Sequence, residues 1–176
     1  MVDPATQLLL NQELIAKDLP WLLADLMLKN QLILATAESC TGGMIAAACT
    51  DLAGSSAWFD RGFVTYSNDA KTQMLGVDAA LIAQHGAVSE PVARAMAFGA
   101  IRHSQAQVSV AVTGVAGPSG GSASKPVGTV WFGFSVNGML TSEVMRFEGD
   151  RAAVRAATVR HALQRLVGLL EISETA

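Results

Sequence analysis

Two periods alternate along this chain. Leu22, Leu23 and Leu26 follow Asp18-Leu19-Pro20 at helical spacing, and the run ends near Lys29-Asn30. Asp3-Pro4 carries the same start signal, a cap followed by a first-turn proline, for a helix to about Ala16. Gln31 to Ala37 is a short apolar run of the length of a buried strand. Met44 to Leu52 is Ala-rich and reads as helix; Arg61 to Ser67 alternates, with Phe63 and Thr65 on one side and Val64 and Tyr66 on the other. A short helix spans Asn68 to Leu75, another ends just before His85, and a longer one opens at Ser89-Glu90-Pro91 and runs to about His103.

The second half begins with a strand over Gln107 to Val112, then a Gly-rich loop over 113–121. Val127 to Val136 is the cleanest strand, with Val130, Phe132, Phe134 and Val136 on one face. Asn137-Gly138 is a strong two-residue hairpin signal, so Leu140 to Phe147 pairs antiparallel with it. Asp150 caps a last helix with the apolar stripe Val159, Leu163, Leu166, Val167 and Leu170. Early βα alternation followed by a hairpin predicts an α/β fold, a three-layer α/β/α sandwich whose mixed sheet includes a late antiparallel hairpin. No linker or repeat divides the chain, so 1–176 reads as a single domain.

Composition narrows the function classes. The 176 residues are 51% hydrophobic and 15% charged, with a mean hydropathy of +0.35. A disordered chain is excluded. Lys+Arg number 12 against 15 Asp+Glu, without a basic run, which argues against a nucleic-acid partner. Apolar stretches are interrupted before spanning length, and Met1 to Gln12 has no positive n-region. With Cys40 and Cys49 too few for a disulfide framework, the expectation is a cytoplasmic protein with no membrane partner.

Three polar turns follow strands, at 38–43, 67–69 and 114–121, where open α/β sheets bind ligands. Ser39 sits between strand and helix, beside N–H groups suited to an oxyanion or phosphate; equally, Ser39 or Thr41 is an ordinary N-cap. The pair Gly42-Gly43 points to a close approach to the backbone. A serine nucleophile needs a base. Tyr66, the one tyrosine, and Lys71 lie five apart, and serine hydrolases without a His-Asp pair use a neutral lysine, often with a tyrosine relay. The bland alternative is a packed tyrosine and a surface lysine. His85 and His103 sit at helix ends, and His161 has no useful neighbour by spacing; no metal-ligand pattern occurs. Arg151 stands in a helix's first turn against the dipole, either paired with Glu148 or Asp150 or holding a ligand anion.

These residues resemble the CinA C-terminal-domain family, the nicotinamide-nucleotide amidases. The resemblance rests on Ala37-Glu38-Ser39-Cys40-Thr41-Gly42-Gly43, Gly54-Ser55-Ser56, Gly62 to Asn68 and Lys71. It continues through Gly86 to Ser89, Thr113 to Pro118, Lys125 to Val130 and Gly149-Asp150-Arg151. It runs from about Asp18 to Leu170 and leaves 1–17 as a helical extension. The resemblance implies hydrolysis of the carboxamide of nicotinamide mononucleotide to nicotinate mononucleotide and ammonia, in pyridine-nucleotide salvage. It implies Ser39 as nucleophile, Tyr66 and Lys71 as its activators, and Thr41, Gly42, Thr113, Gly114 and Arg151 as substrate contacts. It further implies a homodimer with no metal and no cofactor. A non-catalytic nucleotide-binding module on the same fold is the alternative. A short-chain dehydrogenase is disfavoured: four residues, not three, separate Tyr66 from Lys71, and no G-x-G-x-x-G occurs.

Overall fold

The computed structural model describes residues 19–174. A helix α1 (19–29) leads into β1 (Leu34–Glu38) and α2 (Met44–Thr50). A single 3-10 turn, Ser55–Ala57, precedes β2 (Phe59–Val64), α3 (Asn68–Leu75), α4 (Ala79–His85) and α5 (Glu90–Arg102). Then follow β3 (Val108–Gly114), β4 (Thr129–Val136), β5 (Met139–Arg146) and α6 (Arg151–Glu174). The helix expected over residues 3–16 lies outside the described residues. Among the described residues no helix is long and apolar enough to cross a membrane.

The five strands form one sheet in the order β2-β1-β3-β4-β5. β1 pairs in parallel with β2 and β3; β3–β4 and β4–β5 are antiparallel. The predicted α/β sandwich with a late hairpin is the observed architecture. Asn137, at φ 49, and Gly138, at φ 83, make the hairpin turn as their sequence demands.

Each face of the sheet has its own core. On one, Leu34, Val108, Val110, Val112 and the β4 row Val130, Phe132, Phe134 and Val136 meet α1, α2 and α6. The α6 stripe Leu163, Leu166, Val167 and Leu170 is buried here, as its spacing predicts. In α1 the buried row is Leu19, Leu23 and Met27 at i, i+4 and i+8, whereas Leu22 is exposed. On the other face, Ala35, Ala37 and Ala111 meet α3, α4 and α5. These positions are small because α5 lies close: a Cβ on Gly133 would strike Ala93 O, and Ser109 Oγ donates to Ala97 O at 2.8 Å.

Several boundaries differ from the sequence reading. β2 begins two residues early and ends at Val64, though Thr65 N still donates to Glu38 O. Thr113 and Gly114 belong to β3, not to the loop, because β4 extends far enough to pair with them. His85 is the last residue of α4 rather than the one after it. His161 is not isolated: its Nε2 lies 2.7 Å from Glu143 Oε1 on β5, and Arg165 Nε donates to Glu143 Oε2 at 3.0 Å. Those two contacts tie α6 to the outermost strand.

Strand directions place the site. β1, β2 and β3 run parallel, so their carboxyl ends share one edge. Two antiparallel reversals return β5 to the same direction, so the start of α6 reaches that edge too. Residues 39–43, 65–67, 115–128 and 147–155 therefore converge from four parts of the sequence.

Candidate active site

The turn 39–43 is built around a carboxylate. Glu38 ends β1 fully buried, pointing to the α2 side. It accepts five hydrogen bonds: from Thr36 Oγ1 (3.2 Å), Thr41 Oγ1 (2.6 Å), and the N–H groups of Gly43 (3.1 Å), Ile45 (3.0 Å) and Ala46 (2.8 Å). A helix N-terminus leaves such donors unpaired and carries partial positive charge, so an internal carboxylate satisfies both. The N–H groups expected to be open to a ligand are thus largely held by Glu38. Thr41, expected as a substrate contact, spends its hydroxyl on the same carboxylate. Gly42 and Gly43 have φ of 62° and 99°. Their glycine identity answers a backbone requirement, not only an approaching group.

Ser39 is half-buried at the start of this turn. Its N–H donates to Val112 O at 3.0 Å, which pins it to β3. Lys71 reaches it directly from the second turn of α3: Nζ lies 3.1 Å from Ser39 Oγ and donates to Thr65 O at 2.8 Å. Lys71 is 1% exposed, and burial lowers its pKa from the ordinary 10.5, only partly offset by Cys40. Ser67 caps α3 by accepting from Ala70 N at 3.0 Å, which fixes the helix that carries the lysine. A serine hydroxyl on a buried amine of depressed basicity is one arrangement that can activate a nucleophile. Cys40, the neighbouring competitor, is buried, and burial pushes its thiol up to about 11.

Tyr66 is placed differently from the relay expected of it. Its side chain is 62% exposed, and its Oη accepts from Arg151 Nη2 at 2.9 Å, whereas Lys71 contacts Ser39 without an intermediary. Arg151 also donates to Gly117 O at 3.0 Å. Neither Glu148 nor Asp150 pairs with Arg151 among the described residues; Asp150 Oδ1 instead accepts from Ala153 N at 2.9 Å and caps α6. Thr113 is buried and donates to Ala87 O at 2.8 Å, tying β3 to the segment before α5. Gly114 is a packing position, since a Cβ there would come within 2.7 Å of Val130 Cγ2.

Arg155 was not singled out in the sequence, although it stands four residues after Arg151 and so on the same face of α6. Its Nε donates to Cys40 O at 3.1 Å and its Nη2 to Thr41 O at 2.9 Å. Both arginines line an open cleft of ≈ 630 Å³, with Ala116, Pro118, Val127 and Gly149 among its other walls. That volume suits a nucleotide-sized ligand. The cleft meets the Ser39 turn through Arg155 and meets Tyr66 through Arg151.

Comparison with known proteins places this architecture. The model of the CinA C-terminal domain matches residues 16–170. The chain is 58% identical over 134 residues to the nicotinamide-nucleotide amidohydrolase PncC of Escherichia coli K12, covering 74% of this chain and 80% of that protein. It is 56% identical over 134 residues to the protein of the same name from Pseudomonas putida, covering 76% of this chain and 84% of that one. A crystal structure of a competence/damage inducible protein from Agrobacterium tumefaciens superposes with a TM-score of 0.84 at 49% identity, covering 88% of this chain and 95% of that one. A CinA superfamily structure from Escherichia coli gives 0.85 at 42% identity, covering 88% and 90%. With a family model that spans nearly all of its described residues and relatives this similar, the chain belongs to the CinA C-terminal domain family.

Proposed function

We propose that this chain hydrolyses the carboxamide of nicotinamide mononucleotide to nicotinate mononucleotide and ammonia, with Ser39 as nucleophile and Lys71 as its base. The relatives named nicotinamide-nucleotide amidohydrolase, at 58% and 56% identity, support the substrate and the reaction. The observation that carries the chemistry is the 3.1 Å contact between Ser39 Oγ and the buried Lys71 Nζ.

A neutral amine has two N–H bonds and one lone pair. Thr65 O takes one N–H, which leaves the lone pair free to face the serine hydroxyl. Ser39 Oγ attacks the amide carbon as its proton passes to Nζ. The tetrahedral intermediate collapses, the C–N bond breaks, and the ammonium proton goes to the departing nitrogen, which leaves as ammonia. Water attacks the resulting ester as its proton passes to Nζ; the bond from the acyl carbon to Ser39 Oγ then breaks, Nζ returns the proton to Oγ, and the carboxylate product leaves. The cationic pyridinium ring draws electrons from the carbonyl and eases both attacks. Of the N–H groups in the turn, those of Gly42, Gly43, Ile45 and Ala46 have internal acceptors, which leaves those of Cys40, Thr41 and Met44 as the candidate donors to the oxyanion.

Arg151 meets the substrate phosphate, and Tyr66 holds Arg151 in place. Thr41, Thr113 and Gly114 act as supports behind the site rather than as donors to the substrate. The same reading carries a homodimer working in the cytoplasm. The exposed Met139 and Val144 on the edge strand β5 offer apolar surface for self-association, and sedimentation equilibrium tests it. Ammonia release from nicotinamide mononucleotide, measured for the native chain and for Ser39→Ala, tests the function. A native chain that turns over no nucleotide refutes it.

A further inference from the structure

Arg155 holds two successive carbonyls, those of Cys40 and Thr41, which directly follow the nucleophile. The single cis peptide bond among the described residues is Gly117–Pro118, so both peptide planes here are trans and rigid. Fixing the two carbonyls fixes both planes. It also sends the Gly42 N–H away from the guanidinium and back to Ser39 O, a bond of 3.1 Å. Glu38 grips the following residues through their N–H groups. The turn is thus held from two sides, its carbonyls by a cation and its amides by an anion. Gly42 is open enough for this: a Cβ there would sit 3.7 Å from Arg155 Nη2.

We infer that Arg155 is a positioning residue for the amide-hydrolysing site, locking the turn so that Ser39 Oγ stays on Lys71 Nζ, and that it does so from the wall of the substrate cleft. This rests on the amidase reading. Its guanidinium has two N–H groups on the turn and also lines the cleft with Arg151. Arg151, by contrast, donates its hydrogen bonds away from the nucleophile turn, to Gly117 O and Tyr66 Oη. The two arginines, one helical turn apart, therefore divide the work: Arg151 binds and Arg155 aligns.

The test compares Arg155→Ala and Arg155→Lys with the native chain in two ways. Steady-state kinetics on nicotinamide mononucleotide should show kcat lower by about 10²-fold in Arg155→Ala with KM within about threefold, since misplacement near 1 Å costs that much. Arg155→Lys, with a point charge that reaches one carbonyl, should recover part of kcat. Backbone hydrogen exchange of residues 39–43, read by mass spectrometry, should be faster in Arg155→Ala while α5 and β4 exchange as in the native chain. A raised KM with kcat kept makes Arg155 a reader of substrate and overturns the inference. Unchanged exchange of the turn overturns it as well. If Arg155→Ala does not fold, Arg155→Lys carries both measurements. If the native chain releases no ammonia, the amidase reading fails, and the exchange measurement still decides whether Arg155 holds the turn.

Discussion

Replacing Glu38 by glutamine keeps the shape of the side chain and removes its charge, at a position that is 0% exposed. The new NH₂ group must stand where one carboxylate oxygen stood. At the Oε2 position it would face the N–H groups of Gly43 and Ile45; at the Oε1 position it would face only that of Ala46 and a rotatable Thr36 hydroxyl. The second orientation is therefore preferred, and it leaves one buried donor without an acceptor, which costs about 1–3 kcal/mol. The three bonds to the other oxygen survive but lose charge assistance, each weakening by roughly 1 kcal/mol. Allowing for non-additivity, the loss is about 3–5 kcal/mol, a large share of the ~5–15 kcal/mol typical of a domain. For a chain of this size that lowers Tm by roughly 6–20 °C. Urea unfolding followed by circular dichroism, with the slope unchanged, reads it directly. Thr41→Val, which removes only the 2.6 Å hydroxyl contact, should cost less. A loss under about 1 kcal/mol for Glu38→Gln would show that the carboxylate does not hold the start of α2.

Three further outcomes follow from the same geometry. Cys40→Ala should keep activity within a few-fold, because a buried thiol pushed to about 11 supplies almost no thiolate; loss on the scale of Ser39→Ala, measured by ammonia release, would move the nucleophile to Cys40. For Lys71, kcat/KM should rise with pH through one ionisation below 10.5 and Lys71→Arg should be inactive. Because the unfolded chain binds that proton more tightly, native stability should rise with pH towards 10.5, and Lys71→Met should flatten the slope in unfolding curves taken at neutral and alkaline pH. Arg151→Ala should lower kcat/KM on the mononucleotide about 10- to 100-fold and change the riboside far less; equal losses on both would remove Arg151 from the phosphate.

The layers of the fold were legible because each element declares a period and a stop. Asn68–Leu75 begins after Ser67 and ends at Gly76, and the sequence bounds it to the residue. The row Val130, Phe132, Phe134 and Val136 alternates without interruption and is buried as a row. Ends set by pairing were not legible: Thr113 and Gly114 read as loop because their strand partners lie sixteen or more residues away. In the site, Ser39 and Lys71 stood out by residue type and by their place after strands. Glu38 did not, since a glutamate at a strand end is ordinary until the helix donors around it are seen. Arg155 had a signal, the four-residue spacing from Arg151, but its partners are backbone carbonyls more than a hundred residues earlier, and no side-chain pattern records them. Proximity in sequence pairs Tyr66 with Lys71. Tyr66 lies in the connection after β2 and reaches Arg151, whereas Lys71 stands on α3 and reaches Ser39, so nearness in sequence does not put the two side chains on one path.

In the proposed reaction Ser39, activated by Lys71, opens the amide of nicotinamide mononucleotide. The most direct measurement is ammonia and nicotinate mononucleotide released per enzyme from that nucleotide, with native chain and Ser39→Ala purified side by side. The native chain should form both products in equal amounts and Ser39→Ala should lose at least ~10³-fold, with the variant's unfolding midpoint close to native. Comparable turnover in Ser39→Ala, or none in the native chain, would contradict it.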